Sequence, residues 1–140
     1  MRIVLDTSVI VAGFRSRRGA SNLLLRRVAE GILRPLVSTA LFLEYEDVLL
    51  RPEQRLATGM TEKDVELALA ALASAAEPVE VHFRWRPQLG DPSDELVLEA
   101  AVNGRADALV THNIRDFEGA AAQFELRVIR PQQCLKEIGP

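Results

Sequence analysis

A short apolar run that ends in an acid opens the chain and limits the folds available to it. Residues 2–5 read Arg-Ile-Val-Leu, and Asp6, Thr7 and Ser8 follow directly. An apolar run of this length without alternation is typical of a central parallel strand that is covered on both faces. In open parallel sheets, ligands bind outside the carboxyl ends of the strands. Asp6 is therefore a candidate functional residue.

Segments of strand type and helix type alternate along the remaining sequence. Strands are predicted at 34–38, 79–82, 106–111 and 126–129, the second of them at a sheet edge. Helices are predicted at 9–14, capped by Thr7 or Ser8, at 21–30, 39–50, 61–76 and 91–102, and from Pro131 onward, with a polar connector at 52–60. This alternation predicts a three-layer α/β/α fold with a mainly parallel central sheet. A length of 140 residues fits one domain, 1–140.

Composition predicts a soluble protein of a reducing compartment. No apolar run is long enough to cross a membrane, and the first strand begins at Arg2, which leaves no room for a cleavable signal. The only cysteine, Cys134, can form neither an internal disulfide nor a Cys/His zinc site, and we expect it to be a small buried residue. We therefore expect a cytoplasmic location and no membrane partner.

Charge gives a weaker indication of function. A net charge of −3 argues against indiscriminate binding of polyanions. Lys63 and Lys136 are the only lysines among 17 basic residues, so arginine dominates. Arginine suits recognition of phosphate and carboxylate groups, but a genome-wide codon bias explains the same enrichment. Only the location of individual arginines carries functional weight.

Four further acids stand out by their positions, and one of them is assigned to helix capping. Helical spacing predicts Glu44 on the core side of a helix, one turn from apolar residues on either side, and we favour an inward functional role over a solvated surface position. Asp91 and Pro92 fit the N-cap and first positions of a helix, so we assign Asp91 to capping. Asp94 can complete a capping box, but a helix that is already capped gains only about 0.3–1 kcal/mol from another acid, and we assign Asp94 to chemistry. Asp116 follows the last clear buried strand.

Four of these acids can converge at one edge of the sheet, because each follows a strand or lies on a helix that starts near a strand end. They are Asp6, Glu44, Asp94 and Asp116. Two carboxylates ~4 Å apart repel by about 1 kcal/mol in water and about 4 kcal/mol at an effective dielectric of 20. A hard divalent cation relieves this repulsion, and ligands without sulfur or paired histidines favour Mg²⁺ or Mn²⁺ over zinc. Such ions polarise phosphoryl oxygens and turn bound water into a nucleophile. The predicted reaction is therefore hydrolysis of a phosphodiester.

Four segments also carry a family resemblance. They are Leu-Asp-Thr-Ser-Val at 5–9, residues 38–44, Asp-Pro-Ser-Asp at 91–94, and Val-Thr-His-Asn-Ile-Arg-Asp-Phe at 110–117. In this order and across nearly the whole chain, they resemble the signature segments of the PIN-domain nucleases, and especially the toxin branch of VapC-like toxins. By this resemblance Asp6, Glu44, Asp94 and Asp116 match the acidic quartet that binds the metal and performs catalysis.

The resemblance implies several further properties. Asn113 would line the site, at a position often held by Asp or Asn, and Thr7, Ser8 or Thr111 would orient the ligands. The implied activity is Mg²⁺- or Mn²⁺-dependent cleavage of single-stranded or structured RNA. The implied partners are a second copy of the chain and a cognate antitoxin.

One departure from the family pattern affects the last acid. Many relatives carry an acid directly after the last strand, where this sequence has Asn113, so Asp116 must complete the quartet. Glu95 is the alternative, although a first-turn acid of this kind is expected in solvent. His112 has a pKa suited to a general base. Water activated by a metal needs no such base, and we expect His112 at the rim of the site.

Some basic and aromatic residues keep two interpretations. Arg15, Arg17, Arg18 and Arg115 are expected in loops at the acidic end of the sheet, where they would bind the RNA backbone, and ordinary solvated charge explains them equally well. Residues 84–87 place two arginines around the only tryptophan. This pattern suits base stacking or phosphate binding, and equally a protein contact. His82 is expected to be a half-exposed strand residue.

Other functional classes fit the sequence less well. Receiver domains and haloacid-dehalogenase-like phosphatases also place an Asp after a strand. Receivers need an early acidic pair and a lysine after a late strand, and the phosphatases need a second Asp where this chain has Ser8. The chain has no glycine-rich loop of a nucleotide binder. The alternative that stays open is a catalytically silent PIN-like module that binds RNA or a protein.

Overall fold

Parallel strands form a central sheet, with the first strand in its middle. The computed structural model describes residues 1–84 and 88–139. In these residues the strands are β1 (Arg2–Leu5), β2 (Arg34–Ser38), β3 (Glu77–Val79), β4 (Ala108–Val110) and β5 (Val128–Ile129). Their order is β3-β2-β1-β4-β5, and every pairing is parallel. The predicted α/β fold is confirmed.

Helices connect the strands and flank the sheet. They are α1 (Thr7–Arg15), α2 (Ala20–Ala29), α3 (Thr39–Leu50), α4 (Pro52–Thr58), α5 (Glu62–Ala75), α6 (Pro92–Gly104), α7 (Ile114–Ala122) and α8 (Pro131–Ile138). Within residues 1–84 and 88–139, none of them has both the length and the apolar character that a membrane crossing requires.

The central strands are buried on both faces, as their non-alternating sequence predicts. Ile3, Val4 and Leu5 of β1 are at most 1% exposed, and all three residues of β4 are fully buried. Complete burial of a Val, Leu or Ile side chain stabilises the fold by about 1.5–3 kcal/mol. Cys134 is buried, as expected.

The order of the strands changes direction beside β1. The chain runs from β1 to β2 and β3 on one side, then crosses back to β4 on the other side. Asp6 continues the pairing past β1, since its N–H donates to the carbonyl of Val110 at 2.9 Å. The segments that leave β1 and β4 therefore start side by side and diverge. Such a switch point opens a crevice at the carboxyl ends of the strands.

Local end signals set several helix boundaries as predicted. Thr61 and Asp64 exchange hydrogen bonds of 2.9 and 3.1 Å in a capping box at the start of α5. Asp91 caps α6, because its side chain accepts the N–H of Ser93 at 2.9 Å. The assignment of Asp91 to capping is confirmed.

The predicted start of α1 is wrong. The helix begins at Thr7, with Asp6 in the N-cap position and no side-chain cap hydrogen bond. Neither Thr7 nor Ser8 caps it, because both lie inside the first turn. The hydroxyl of Ser8 instead points back to the carboxylate of Asp6.

Three other boundaries also differ from the predictions. The expected connector after α3 is a helix, α4, which starts at Pro52. Another helix, α7, begins directly after Asn113. The third strand ends at Val79 instead of continuing to His82. The side-chain oxygen of Asn103 accepts hydrogen bonds from the N–H groups of His82 and Phe83 at 3.0 Å each. These two amides therefore do not pair with a neighbouring strand of the sheet.

Candidate functional site

Asp6 lies at the carboxyl end of β1, on the crevice side of the sheet, and is 4% exposed. The hydroxyls of Ser8 and Thr111 both donate to its Oδ2 atom, at 2.6 and 2.7 Å. Two donors on one oxygen fix the orientation of the carboxylate. Within the described part of the chain, both of these hydrogen bonds go to Oδ2 and none goes to Oδ1.

Thr111 connects the end of β4 to Asp6. Its N–H donates to Ile129 of β5 at 3.0 Å. Its hydroxyl accepts the N–H of Asn113 at 2.9 Å and donates to Asp6. This fully buried side chain therefore fixes both the acid and the turn that carries Asn113, as expected of a residue that orients the ligands.

Tyr45 connects α3 to the end of β1 by a hydrogen bond. Its hydroxyl donates to the carbonyl of Leu5, the last residue of that strand. Burial raises the pKa of the phenol, and the nearby negative charge of Asp6 raises it further. Tyr45 thereby fixes the helix turn that carries the half-buried Glu44. Sequence reasoning placed Tyr45 in the core and missed this role, although the lone tyrosine next to an inward acid was the available signal.

Asp94 stands in the first turn of α6 and is partly buried. Burial, together with the charges of Asp6, Asp91, Asp116 and Glu95, raises its pKa to about 7. The side chain makes no hydrogen bond to another described residue. Asp94 therefore takes no part in the α6 cap and carries the repulsion expected of clustered acids.

Three of the four predicted acids lie close enough for the charges of two of them to affect the pKa of the third. The charges of Asp6 and Asp116 both act on Asp94, and Asp116 is exposed in the first turn of α7. The charge of Glu44 instead affects the pKa of Arg51 at the end of α3. The pKa of Arg51 is raised first by its hydrogen bond to Asp47, and the charge of Glu44 adds to this effect. Across residues 1–84 and 88–139, no three His, Cys, Asp or Glu side chains are gathered as a ready-made metal site.

Glu95 is not solvated, and that expectation is wrong. It is 4% exposed, and its Oε1 atom accepts the N–H groups of Gln88 and Leu89 at 2.7 and 2.9 Å. These bonds hold the segment before the α6 cap against the helix. A carboxylate already used in this way is less suited than Asp116 to complete the site.

His112 packs beside the turn after β4. Its Nε2 atom lies 2.8 Å from the hydroxyl of Ser21, which is 3% exposed. Its carbonyl accepts a hydrogen bond from Arg130 at 2.9 Å. The ring is thus tied to α2, an arrangement that agrees with a rim residue and not with a general base.

The predicted RNA-binding arginines are exposed. Arg15 ends α1, and Arg17 and Arg18 follow it. Arg115 precedes Asp116 in the first turn of α7. The expectation of a loop is therefore wrong for Arg15 and Arg115, which both lie in helices. In the segment 84–87, Arg84 is exposed and residues 85–87 lie outside the described residues. His82 is 69% exposed at its side chain and lies beyond the edge strand.

The donor set fits a hard divalent cation. Asp6, Asp94 and Asp116 supply only carboxylate oxygens, which Mg²⁺ and Mn²⁺ prefer. The raised pKa of Asp94 comes first from burial and then from the neighbouring negative charges, which such a cation would balance. The chemistry of these residues therefore agrees with Mg²⁺ or Mn²⁺.

Comparison with known families agrees with this geometry. A family model for the PIN domain matches residues 2–115, and the matched segment ends one residue before Asp116. No curated protein matches the chain significantly. Because the family model covers most of the 140 residues, the chain belongs to the PIN-domain family, whose members are generally nucleases.

Proposed function

We propose that the protein is a Mg²⁺- or Mn²⁺-dependent endoribonuclease and the cytoplasmic toxin of a VapC-like toxin-antitoxin pair. The observation that supports the proposal is the position of three acids, with Asp6 directly after β1, Asp94 in the first turn of α6 and Asp116 in the first turn of α7. The charges of Asp6 and Asp116 both act on Asp94. Ligands bind at such a switch point in open parallel sheets.

Each residue has a separate role in this proposal. Asp6, Asp94 and Asp116 would hold the cation, and Glu44 would complete the set from α3. The bound cation supplies Lewis-acid activation of the phosphodiester and of water. Ser8 and Thr111 keep Asp6 oriented through their hydrogen bonds. Thr7 and Asn113 would line the site. The residues that would contact the phosphates are Arg15, Arg17, Arg18 and Arg115.

The partner part of the proposal rests on the family resemblance and on exposed apolar surface. Leu43 of α3 and Leu67 of α5 are 54% and 62% exposed. A groove of about 540 Å³ between α1, α2 and α5 has mainly apolar walls, including Phe14, Leu25 and Leu72. Apolar surfaces of this kind often mark protein contacts. A second copy of the chain and an antitoxin are the proposed partners.

The test is cleavage of end-labelled single-stranded RNA by purified protein with Mn²⁺ or Mg²⁺. Asp6→Asn and Asp94→Asn should abolish cleavage, because each removes a negative ligand from the site. Asp47→Asn is the matched control, since Asp47 is exposed and pairs with Arg51 on the surface of α3. This control should cleave like the wild type.

The same experiment separates the nuclease from a silent binding module. Cleavage by both site variants at the wild-type rate would contradict the assignment of the acids. Wild-type protein that binds RNA but never cuts it with either cation would favour the silent module. Folding of each variant is checked by its melting temperature in EDTA.

A further inference from the structure

A groove beside α1 shares Thr7, Ser8 and Arg15 with the function proposed above, but its other walls have no role there. It has a volume of about 490 Å³ and is lined by Thr7, Ser8, Val11, Arg15, Val48 and Gln54, among others. Pockets for small organic ligands typically measure about 300–1,000 Å³. The groove therefore has room for a ligand or for one unit of a polymer.

One end of the groove reaches the acidic site. Ser8 lines the groove and donates to the carboxylate of Asp6 at 2.6 Å. Val48 lines the opposite wall one helical turn after Glu44, so both residues share a face of α3. A ligand in the groove would thus lie directly beside the proposed site of phosphodiester cleavage.

The other end of the groove is basic. Arg15 lies there at the end of α1, and the exposed Arg17 and Arg18 follow it. The nine residues of α1 place Thr7 and Arg15 about 12 Å apart at ~1.5 Å per residue. A ligand that meets a cation-binding site at one end and arginines at the other must carry repeated negative charge, as a nucleic acid strand does.

The groove also contains polar groups without partners. Thr7 Oγ1 and Gln54 Oε1 are buried and make no hydrogen bond, and no bond involving the side-chain amide of Gln54 occurs among the described residues. A buried polar atom without a partner costs about 1–3 kcal/mol. The terminal torsion of glutamine is broad, so this amide can turn into the groove and pair with a ligand.

These features fit an unpaired nucleobase. A carboxamide carries a donor and an acceptor side by side and pairs with the edge of a base. Val11 and Val48 give the groove apolar walls against which a base can pack. Proteins that recognise RNA sequence usually read unstacked bases in this way, with apolar contact to the face and hydrogen bonds to the edge.

We propose that the groove between α1 and α4 binds a nucleobase of single-stranded RNA next to the scissile phosphate, and that Gln54 determines which base is accepted. The proposal rests on the ribonuclease function and assigns the substrate specificity of the same site.

The test compares wild type, Gln54→Leu and the control Gln132→Leu on a pool of single-stranded RNA with randomised sequence, with Mn²⁺ present. Leucine keeps the approximate size of glutamine and removes its amide. Gln132 is exposed on α8, outside the groove. Sequencing of the cut ends should show a base preference beside the cut in the wild type and the control. Gln54→Leu should weaken that preference about tenfold, the scale of one base-edge contact.

Loss of fold cannot explain the expected result. Gln54→Leu removes a buried amide that has no partner, so its melting temperature should equal or exceed that of the wild type. An unchanged base preference in Gln54→Leu, or an equal loss of rate on every sequence, would overturn the proposal and leave the nuclease function intact.

Binding without metal separates the two proposals. The affinities of the same three proteins for short homopolymers of A, C, G and U are measured in EDTA. Selective binding that Gln54→Leu removes supports the base site even where no cut is seen. Binding that is non-selective or absent in the wild type overturns the base site. A failure to cleave with either cation counts against the nuclease alone.

Discussion

At the scale of single residues, Asp94 makes stability depend on pH. Burial, followed by the charge of Asp6, raises its pKa from 3.8 to about 7. The folded protein therefore holds this proton more tightly than the unfolded chain. The resulting stabilisation is fully present below about pH 4 and is lost as pH rises through about 7.

We therefore expect Asp94→Asn to change stability most at high pH. Without metal it should melt at a higher temperature than the wild type at pH 8, because the repelling charge is gone. The difference should shrink as pH falls toward 4, where the wild-type carboxyl is already protonated. Melting curves in EDTA from pH 4 to 8 measure this. A difference that stays constant with pH would contradict the assigned cause.

The individual site residues differ in how far the sequence predicts them. Asp6 is predictable because the apolar run and the acid that ends it are adjacent in the chain. Asp94 is predictable because Asp91 already accounts for the cap. The burial of Glu95 is not predictable from the sequence, because it depends on hydrogen bonds from the N–H groups of Gln88 and Leu89. Nothing in the sequence of the first turn indicates that contact.

At the scale of whole elements, Tyr45 is the link that places α3 beside β1. Its buried hydroxyl donates to the carbonyl of Leu5, and Glu44 precedes it on the helix. Tyr45→Phe should destabilise the protein by about 1–3 kcal/mol, because it leaves a buried polar group without this partner. It should also weaken binding of Mn²⁺, since the turn that carries Glu44 loses its attachment.

Urea unfolding in EDTA measures the first effect, and calorimetric titration with Mn²⁺ measures the second. Asp47→Asn is the control, because Asp47 is exposed on the same helix and surface substitutions usually change stability by less than about 0.5 kcal/mol. If Tyr45→Phe matches the wild type in both measurements, Tyr45 does not position α3.

The elements that the sequence predicts well carry their own end signals. The limits of α3 follow from Ser38, whose hydroxyl accepts the N–H of Leu41 at 3.1 Å, and from Pro52 after its end. In contrast, α7 lacks a side-chain cap, and α4 buries none of its residues. Thus α7 lacks the start signal, and α4 lacks the apolar face, by which a helix is recognised.

At the scale of the whole molecule, the topology converts distant sequence segments into one site. β1 and β4 are neighbours in the sheet although about a hundred residues separate them, and their ends carry Asp6 and Thr111. The candidate site lies where the strand order changes, and α6 and α7 carry Asp94 and Asp116 in their first turns. A sequence pattern predicts which residues follow strands, but the separation between their carboxylates depends on how the helices pack.

The proposed metal site predicts that cations stabilise the whole fold. A cation that binds only the folded state at ~100 times its Kd should add about 2.7 kcal/mol to the free energy of unfolding. Thermal unfolding of the wild type should therefore shift upward with Mn²⁺ or Mg²⁺ and return to its starting value in EDTA. Asp6→Asn should lose most of this shift, whereas Asp47→Asn should keep it. A wild-type melting temperature that does not respond to either cation would contradict the metal site, whatever the outcome of the RNA assays.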